Sequence, residues 1–137
     1  MSHSVEIGAQ ASVRRTVSAS DLASALSAEH QDQFPDVFAT ARMIAFMELA
    51  AAQVLRPMLN EGELSVGVTV DVGHSAATAL GDTVRATATY VGRDGKLYIF
   101  EVTADDPAGE IGRGTHRRAI ISTSRLLEGA RRRRGLA

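Results

Sequence analysis

One carboxylate stands out because it lies on the apolar side of a predicted helix. In residues 40–52, TARMIAFMELAAA, a helical wheel with Ile44 at 0° places Glu48 at roughly 40°, between apolar neighbours. An unpaired buried carboxylate is costly and tends to take up a proton, so Glu48 must be paired, solvated or used in chemistry. Carboxylates in perturbed settings cluster at functional sites, but a boundary residue whose head reaches water fits the helix equally well.

Histidine is the second residue type that could do chemistry here. His74 directly follows a predicted strand, and an imidazole titrates near neutral pH and can serve as a base. His3, His30 and His116 have no comparable sequence context. The histidines form no metal-ligand spacing such as HExxH, so we expect no metal. The chain has no cysteine, which excludes disulfides, thiolate metal sites and a cysteine nucleophile.

Thr40 stands near the start of the same predicted helix. Free backbone N–H groups at a helix start favour an anion, so the hydroxyl could bind a substrate carbonyl or deliver a proton. The simpler interpretation is that Thr40 caps the helix. The helix is predicted to run from near residue 38 or 40 to Leu59, and Asn60-Glu61-Gly62 ends it.

The segments around this helix have the period-two pattern of strands. A first strand is predicted over residues 12–17, and a short helix or ordered lid over residues 19–30. After the helix, apolar residues alternate with small or polar ones over residues 64–72, which predicts one buried face. Glycine- and aspartate-rich turns then separate three further strands, at residues 83–91, 97–104 and 111–124.

Composition bounds the class of protein. The chain has 137 residues, 45% of them hydrophobic, and a net charge of −1, which indicates one globular domain over residues 1–137. No apolar run suits a membrane span and no secretory signal is evident, so we expect a cytoplasmic protein that binds no membrane. The basic run at residues 131–134 lies in a tail, residues 128–137, expected to be loose and solvated. Nucleic-acid binding through it lacks interleaved aromatic residues, and we do not expect it.

The order of elements predicts the fold. One strand, a long apolar helix and four further strands are the layout of an α+β hotdog domain, in which an antiparallel sheet wraps around a central helix. Such a small sheet leaves an exposed edge that a second copy would cover, so a homodimer is expected.

Three blocks in this order resemble the fluoroacetyl-CoA thioesterase family of hotdog proteins. The blocks are FPDVFATARMIAFMELA, GVTVDVGHSAATALGDTV and GEIGRGTHRRAII, and they cover the chain from about Phe34 to Ile121. The resemblance implies a catalytic set of Thr40, Glu48 and His74. It also implies substrate contacts from Gly67, Arg118 and Phe34, with coenzyme A as part of the substrate and no other cofactor.

For these residues the resemblance leaves several roles open. Thioester hydrolysis needs a nucleophile, a base and stabilisation of the oxyanion. His74 could be the base, and Glu48 could orient it, activate water or attack the carbonyl. Gly67 would let the substrate approach the backbone, although a glycine in a strand also marks a bulge. Arg118 would contact the acyl-CoA or its phosphates, or else form an exposed cross-strand ion pair.

The resemblance predicts an acyl-CoA thioesterase that hydrolyses short acyl groups, including fluorinated or otherwise substituted ones, to the free acid and coenzyme A. The fluoroacetate-selective member of the family has two lid aromatics, where this chain has Phe34 and Gln31, which favours a general short-acyl substrate. Two alternatives come from other classes. A hotdog hydratase would need an aspartate and a histidine in the helix region, and this helix has neither, which argues against it. A non-catalytic acyl-CoA-binding protein would keep the pocket without turnover.

Overall fold

A five-stranded antiparallel sheet wraps around one long helix in the computed structural model, which describes residues 4–136. Residues 1–3, including His3, and residue 137 lie outside the described residues. The elements are β1 Gln10–Thr16, α1 Thr40–Leu55, β2 Glu63–His74, β3 Thr83–Asp94, β4 Leu97–Asp106, β5 Gly109–Ser122 and α2 Thr123–Arg133. The strands lie side by side in the order β1-β3-β4-β5-β2, so β1 and β2 are the two edges. This is the predicted α+β layout.

Helix α1 fills the concave side of the sheet with one apolar face. Its buried side chains recur at spacings of three and four residues, as an amphipathic helix requires. They are Met43, Phe46, Met47, Ala50, Ala51, Val54 and Leu55. Ile44, at the centre of the predicted apolar face, is only partly buried. The buried face is therefore turned away from Glu48, which lies on the flank of the helix rather than in the core.

Helix α1 ends four residues before the predicted boundary at Leu59. A 3₁₀ turn over Arg56–Met58 replaces the last α-helical turn. Pro57 explains the change, because proline has no N–H to donate and its ring clashes with the carbonyl four residues earlier.

Strand β2 contains a bulge that its sequence alternation conceals. In the antiparallel pairing with β5, Gly67 lies opposite Arg118 and Thr69 lies opposite Arg117, so Val68 is the extra residue. A bulge of this kind moves every following residue to the other face of the strand. The interpretation of Gly67 as a residue at a strand bulge is thus confirmed.

The predicted single buried face of β2 is wrong for the part of the strand before the bulge. Ser65 and Gly67, predicted on the polar side, share the face of Arg118 there, because directly opposed residues point to the same side of a sheet. The inner face of this part of β2 is consequently polar next to helix α1. After the bulge the predicted alternation agrees with the register, since Val70 lies opposite His116. Val70 is nevertheless 41% exposed, and the extra residue at the bulge is 51% exposed.

The lid predicted between β1 and α1 is ordered, as three 3₁₀ turns rather than a helix. The turns are Ala19–Asp21, Ala23–Leu26 and His30–Asp32. Asp21 anchors the lid to α1, since its carboxylate accepts hydrogen bonds from the Ser18 N–H and hydroxyl and from Arg42 Nε at 2.9 Å. The backbone N–H of Ala39 also donates to the carbonyl of Asp21.

The C-terminal segment differs from its prediction. Strand β5 ends at Ser122 rather than at residue 124, and the residues from 128 onward, expected to be loose, continue helix α2 to Arg133. Ser122 caps this helix, because its hydroxyl accepts a hydrogen bond from the N–H of Arg125. Neither α2 nor any other helix within residues 4–136 has the length and apolar character of a membrane span.

Candidate active site

Helix α1 presents two groups of polar side chains to the sheet. Thr40, its first residue, meets His74 at the end of β2, while Glu48 faces the middle of β2 and β5. Thr40 and Glu48 are eight positions apart, which corresponds to about 12 Å along the helix axis. Within the described part of one chain, no hydrogen bond or ion pair joins Glu48 to Thr40 or His74. In a single chain the partner of His74 is therefore Thr40 and not Glu48.

The Thr40 hydroxyl lies 2.8 Å from Nδ1 of His74, a hydrogen-bonding distance between residues 34 positions apart. The N-cap position of α1 belongs to Ala39, and Thr40 is the first helical residue. The interpretation of Thr40 as a plain N-cap is therefore wrong, and its hydroxyl is free for the imidazole. A hydroxyl hydrogen-bonded to an imidazole is the arrangement that activates an oxygen nucleophile or holds a general base.

The surroundings of His74 favour its neutral form. Burial, which disfavours the imidazolium, lowers the pKa of His74, and the nearby backbone of Ala76 offsets only part of this effect. The ring of Phe38 packs edge-on against it, with centroids 6.3 Å apart. Nε2 of His74 is buried without a hydrogen-bond partner among the described residues. A neutral ring with an unused nitrogen can accept or pass on a proton at neutral pH.

An open cleft of about 330 Å³ lies beside this pair. Lid, helix and post-β2 residues all contribute to it. Its lining consists of Ala23, Pro35, Val37, Phe38, Thr40, His74, Ser75, Ala76 and Ala77. The walls are small and mostly apolar, which suits a small acyl group beside the Thr40–His74 pair.

The second group surrounds the Glu48 carboxylate. Its Oε1 atom lies 3.8 Å from Nη1 of Arg118 and 4.0 Å from Nε2 of His116. The two partners are almost fully buried, whereas the Glu48 side chain is 41% exposed. Glu48 is thus neither a solvated surface residue nor a sealed core residue. It is an accessible carboxylate beside a buried positive charge.

Gly67 provides the space that Glu48 occupies. A Cβ atom at position 67 would overlap Oε1 of Glu48 and come within 3.1 Å of Cε1 of His116. The Glu48 carboxylate therefore occupies the position of the missing Cβ at the predicted substrate-binding glycine. The lack of a side chain at Gly67 leaves room for the carboxylate.

Arg118 is held inside the protein by its neighbours. Its Nε donates to the Ser65 hydroxyl at 3.0 Å, and its Nη2 donates to the Ser65 carbonyl at 2.9 Å. The side chain is 8% exposed, so the alternative of an exposed cross-strand ion pair is wrong. Burial lowers the pKa of Arg118, and the charge of Glu48 opposes that shift. Arg118 can act on charge that develops next to Glu48, but its position does not suit a solvent-exposed phosphate.

His116 belongs to the Glu48 group, although the sequence interpretation gave it no role. Its side chain is only 1% exposed and lies between Arg118, Glu48 and the carbonyl of Thr69. A signal was present in the sequence. His116 and Arg118 are two residues apart on a strand and so share one face. Arg118 lies opposite Gly67 and His116 lies opposite Val70, but only the pairing of β2 with β5 reveals this.

Phe34, the predicted lid contact, is 48% exposed and does not line the cleft beside His74. Phe38 takes the place next to that histidine and is fully buried.

A separate cleft of about 350 Å³ opens at Glu48. Its lining is Arg42, Ala45, Glu48, Leu49, Ala52 and Arg118. Each polar group therefore has its own opening on the surface of one chain.

Comparisons with known sequences match this chain to fluoroacetyl-CoA thioesterases. Residues 17–124 match the family described as fluoroacetyl-CoA-specific thioesterase. A fluoroacetyl-CoA thioesterase of Streptantibioticus cattleyicolor is 44% identical over 89 residues, which cover 65% of this chain and 64% of that relative. The match thus spans just under two thirds of the relative's length.

Solved structures confirm the predicted hotdog fold. The structure of the fluoroacetyl-CoA thioesterase FlK has a TM-score of 0.88 and 34% identity, covering 94% of this chain and 97% of that chain. A hot-dog-like protein from Thermanaerovibrio acidaminovorans has a TM-score of 0.82 and 29% identity, covering 94% of this chain and 93% of that chain.

Proposed function

Since this chain belongs to the fluoroacetyl-CoA-specific thioesterase family, we propose that it hydrolyses short acyl-CoA thioesters to the free acid and coenzyme A. The observation that carries the proposal is the 2.8 Å contact between the Thr40 hydroxyl and Nδ1 of the partly buried His74. A neutral imidazole that holds a nucleophile or a water supplies two of the elements that thioester hydrolysis requires, the nucleophile and its base.

In the proposed reaction, an oxygen nucleophile attacks the thioester carbonyl, the C–S bond breaks and the thiolate of coenzyme A takes up a proton. His74 accepts the proton of the attacking oxygen, and its depressed pKa keeps it in the form that can do so. The Thr40 hydroxyl is hydrogen-bonded to Nδ1 and holds the ring of His74 in place. Water or the Glu48 carboxylate supplies the attacking oxygen. In the second case an acyl anhydride forms on Glu48 as coenzyme A leaves, and a water that gives its proton to His74 then hydrolyses the anhydride to the free acid and Glu48.

A homodimer forms part of the proposal, because one chain keeps the Glu48 group and the Thr40–His74 pair apart. Strand β2 is a sheet edge, and residues 67–71 along it are exposed. An antiparallel pairing of two β2 strands centred on this stretch would cover Val68 and Val70. It would also bring Glu48, packed on Gly67, towards His74 of the partner subunit. Light scattering at micromolar concentration should give twice the chain mass, and a fully active monomer would contradict this part.

The proposed substrate class is a short acyl group, with fluoroacetyl among the candidates. The relative from Streptantibioticus cattleyicolor is named for fluoroacetyl-CoA, and the small cleft beside His74 suits a small acyl group. Phe34 is half exposed and Gln31 stands where a second lid aromatic is expected, which favours a broader range of short acyl groups.

The proposal needs no cofactor beyond the coenzyme A of the substrate and no metal. Among residues 4–136, no group of three or more His, Cys, Asp and Glu side chains is arranged as a metal site. The proposal also places the protein in the cytoplasm, as expected from the sequence, with no nucleic-acid partner.

A panel of acyl-CoA thioesters tests the function. Acetyl-, fluoroacetyl-, propionyl- and butyryl-CoA would be assayed for thiol release with a chelator present, with His74→Gln as the matched control. We expect turnover of at least one short substrate at a rate well above that of His74→Gln. Binding without thiol release across the panel would contradict hydrolysis, and loss of activity with chelator that zinc restores would contradict the metal-free reaction.

A further inference from the structure

Buried His116 has both ring nitrogens in use. Nδ1 lies 2.8 Å from the carbonyl oxygen of Thr69, next to the β2 bulge. Nε2 lies 3.1 Å from Nη1 of Arg118. The side chain is 1% exposed. A histidine this enclosed has a protonation state and a ring orientation that its two neighbours determine.

The chemistry of those neighbours selects one tautomer. A carbonyl oxygen can only accept a hydrogen bond, so Nδ1 must carry the proton that goes to Thr69. A guanidinium can only donate, so Nε2 must be the unprotonated nitrogen that accepts from Arg118. The two contacts independently require the same neutral Nδ1–H form. Protonation of Nε2 would instead place two donors and two positive charges face to face.

Arg118 is thereby fixed on three sides. Ser65 accepts from Nε and Nη2, and His116 accepts from Nη1. The same Nη1 atom lies 3.8 Å from Oε1 of Glu48. Without the acceptor at His116, Ser65 would hold only the Nε and Nη2 edge of the guanidinium. The Nη1 end could then move away from the carboxylate. The position of the positive charge beside Glu48 thus depends on His116.

We propose that His116 is a positioning residue of the thioesterase site. Its Nδ1–H anchors the ring to the β2 bulge, and its Nε2 holds the Arg118 guanidinium beside Glu48. This inference rests on the proposed function, because it assigns His116 to the reaction of Glu48. His116 does not touch the substrate in this role, and its loss acts through Arg118.

The charged and titratable groups that face His116 are few. Glu48 faces it from α1 and Arg118 from its own strand β5, while Thr69 of β2 offers a backbone carbonyl and Phe100 of β4 lies opposite in the sheet. Burial lowers the pKa of His116 and the Arg118 charge lowers it further, against the opposing effects of the Thr69 carbonyl and Glu48. The neutral form therefore agrees with the hydrogen-bond geometry.

Two amide substitutions separate the two contacts. His116→Asn keeps an N–H at about the position of Nδ1 but has no atom that reaches Arg118. His116→Gln extends an amide oxygen to about the position of Nε2 and restores an acceptor for Arg118. His30→Asn is the matched control, because His30 is an exposed histidine in the lid. Each variant would be assayed for kcat and KM on the best substrate of the wild-type protein.

We expect His116→Asn to lower kcat on the order of tenfold or more, with KM changed by less than about threefold, since the lost bond involves a charged group. His116→Gln should recover a clear part of that loss, and His30→Asn should match the wild type. In an Arg118→Gln background, His116→Asn should cost little more, because both changes remove the same contact. Equal losses in the Asn and Gln variants, or independent losses in the double variant, would overturn the proposal.

A measurement on the wild-type protein removes any dependence on how the variants fold. Nitrogen-15 NMR of the histidine rings at pH 7 should show His116 protonated at Nδ1 and unprotonated at Nε2. An Nε2–H tautomer or an imidazolium would overturn the proposal. A wild-type protein that hydrolyses no thioester would instead refute the proposed function, and the tautomer would still report whether His116 holds Arg118. The two failures are therefore distinguishable.

Discussion

The carboxylate of Glu48 lies against Gly67, in the space that a side chain at position 67 would need. One residue belongs to the central helix and the other to an edge strand that bulges at this point. The contact explains how a helix flank can hold a carboxylate next to buried Arg118 without a direct hydrogen bond. Several consequences of this arrangement can be measured.

Gly67→Ala should damage activity more than stability. The added methyl group would overlap Oε1 of Glu48 and displace the carboxylate from Arg118. We expect kcat to fall at least about tenfold, the effect of a displaced catalytic group. Gly73→Ala is the matched control on the same strand, because a Cβ there meets no atom within 4 Å. Equal kcat values for the two variants would show that the Gly67–Glu48 contact has no part in the reaction.

Thr40 should contribute to catalysis through its hydroxyl and not by capping helix α1. Thr40→Ser keeps the hydrogen bond to His74, whereas Thr40→Val keeps the shape without it. We expect Thr40→Val to lower kcat on the order of 10²-fold and Thr40→Ser to retain much more. The melting temperature should change little in both, since Ala39 and not Thr40 holds the N-cap position. A Thr40→Val protein with the kcat of Thr40→Ser would contradict the role of the hydroxyl.

The pH dependence of kcat/KM should show the depressed pKa of His74. Burial lowers this pKa below its ordinary value of 6.5, so the imidazole stays neutral at neutral pH. Activity should therefore be lost only as the pH falls through a midpoint below 6.5, because the imidazolium can no longer accept a proton. The residual activity of His74→Gln should lack this acid limb. A midpoint above 6.5, or an unchanged limb in the variant, would be the contrary result.

Asp21 should stabilise the lid in a pH-dependent way. Burial raises its pKa, but hydrogen bonds from Ser18 and Arg42 outweigh burial and hold the pKa below the ordinary value of 3.8. A group with a depressed folded-state pKa stabilises above its unfolded pKa, and that stability is lost as the pH falls through the folded value. Asp21→Asn should thus unfold at lower urea concentration than the wild type at pH 7.

The gap between wild type and Asp21→Asn should close below pH 3.8. The control is Asp36→Asn, a change of an exposed acid in the same lid. A constant difference between Asp21→Asn and wild type from pH 7 to pH 3 would show that the side chain acts by its shape and not by its charge.

Much of the fold could be predicted because its signals are local. The period of α1 and the alternation in β3, β4 and β5 follow from which residues can face a core. The bulge in β2 could not be predicted from the alternating valines of residues 64–72. A bulge depends on how two strands pair, and it leaves the alternation in the sequence intact. Helix α2 was missed because its mostly exposed, arginine-rich sequence has no apolar face of the kind that marks a packed helix.

The site was predictable in part for a similar reason. Glu48 was visible as a charge beside an apolar helical face, and the family resemblance singled out Thr40 and His74. The pairings between them were not visible, since Thr40 with His74 and His116 with Thr69 join residues far apart in the chain. His116 had no distinguishing sequence context, because its burial beside Glu48 and Arg118 depends on how β5 and α1 pack.

Glu48 has a different stability signature from an ordinary buried carboxylate. A carboxylate among apolar residues is costly, so the sequence of the helix alone would favour a neutral side chain at this position. The Glu48 side chain is instead 41% exposed and faces a guanidinium that is 8% exposed. Glu48→Gln leaves that buried charge without its counter-ion, so we expect the melting temperature to fall by a few degrees rather than rise.

The most direct test of the account is kcat for Glu48→Gln on the best short acyl-CoA substrate. Glutamine keeps the size and hydrogen-bonding capacity of the side chain and removes its charge and proton chemistry. Glu61→Gln, an exposed glutamate in the turn after α1, is the control. The account predicts that Glu48→Gln lowers kcat on the order of 10²-fold or more while Glu61→Gln keeps the wild-type rate. A folded Glu48→Gln protein with normal kcat would contradict it and favour a site in which Glu48 has no catalytic role.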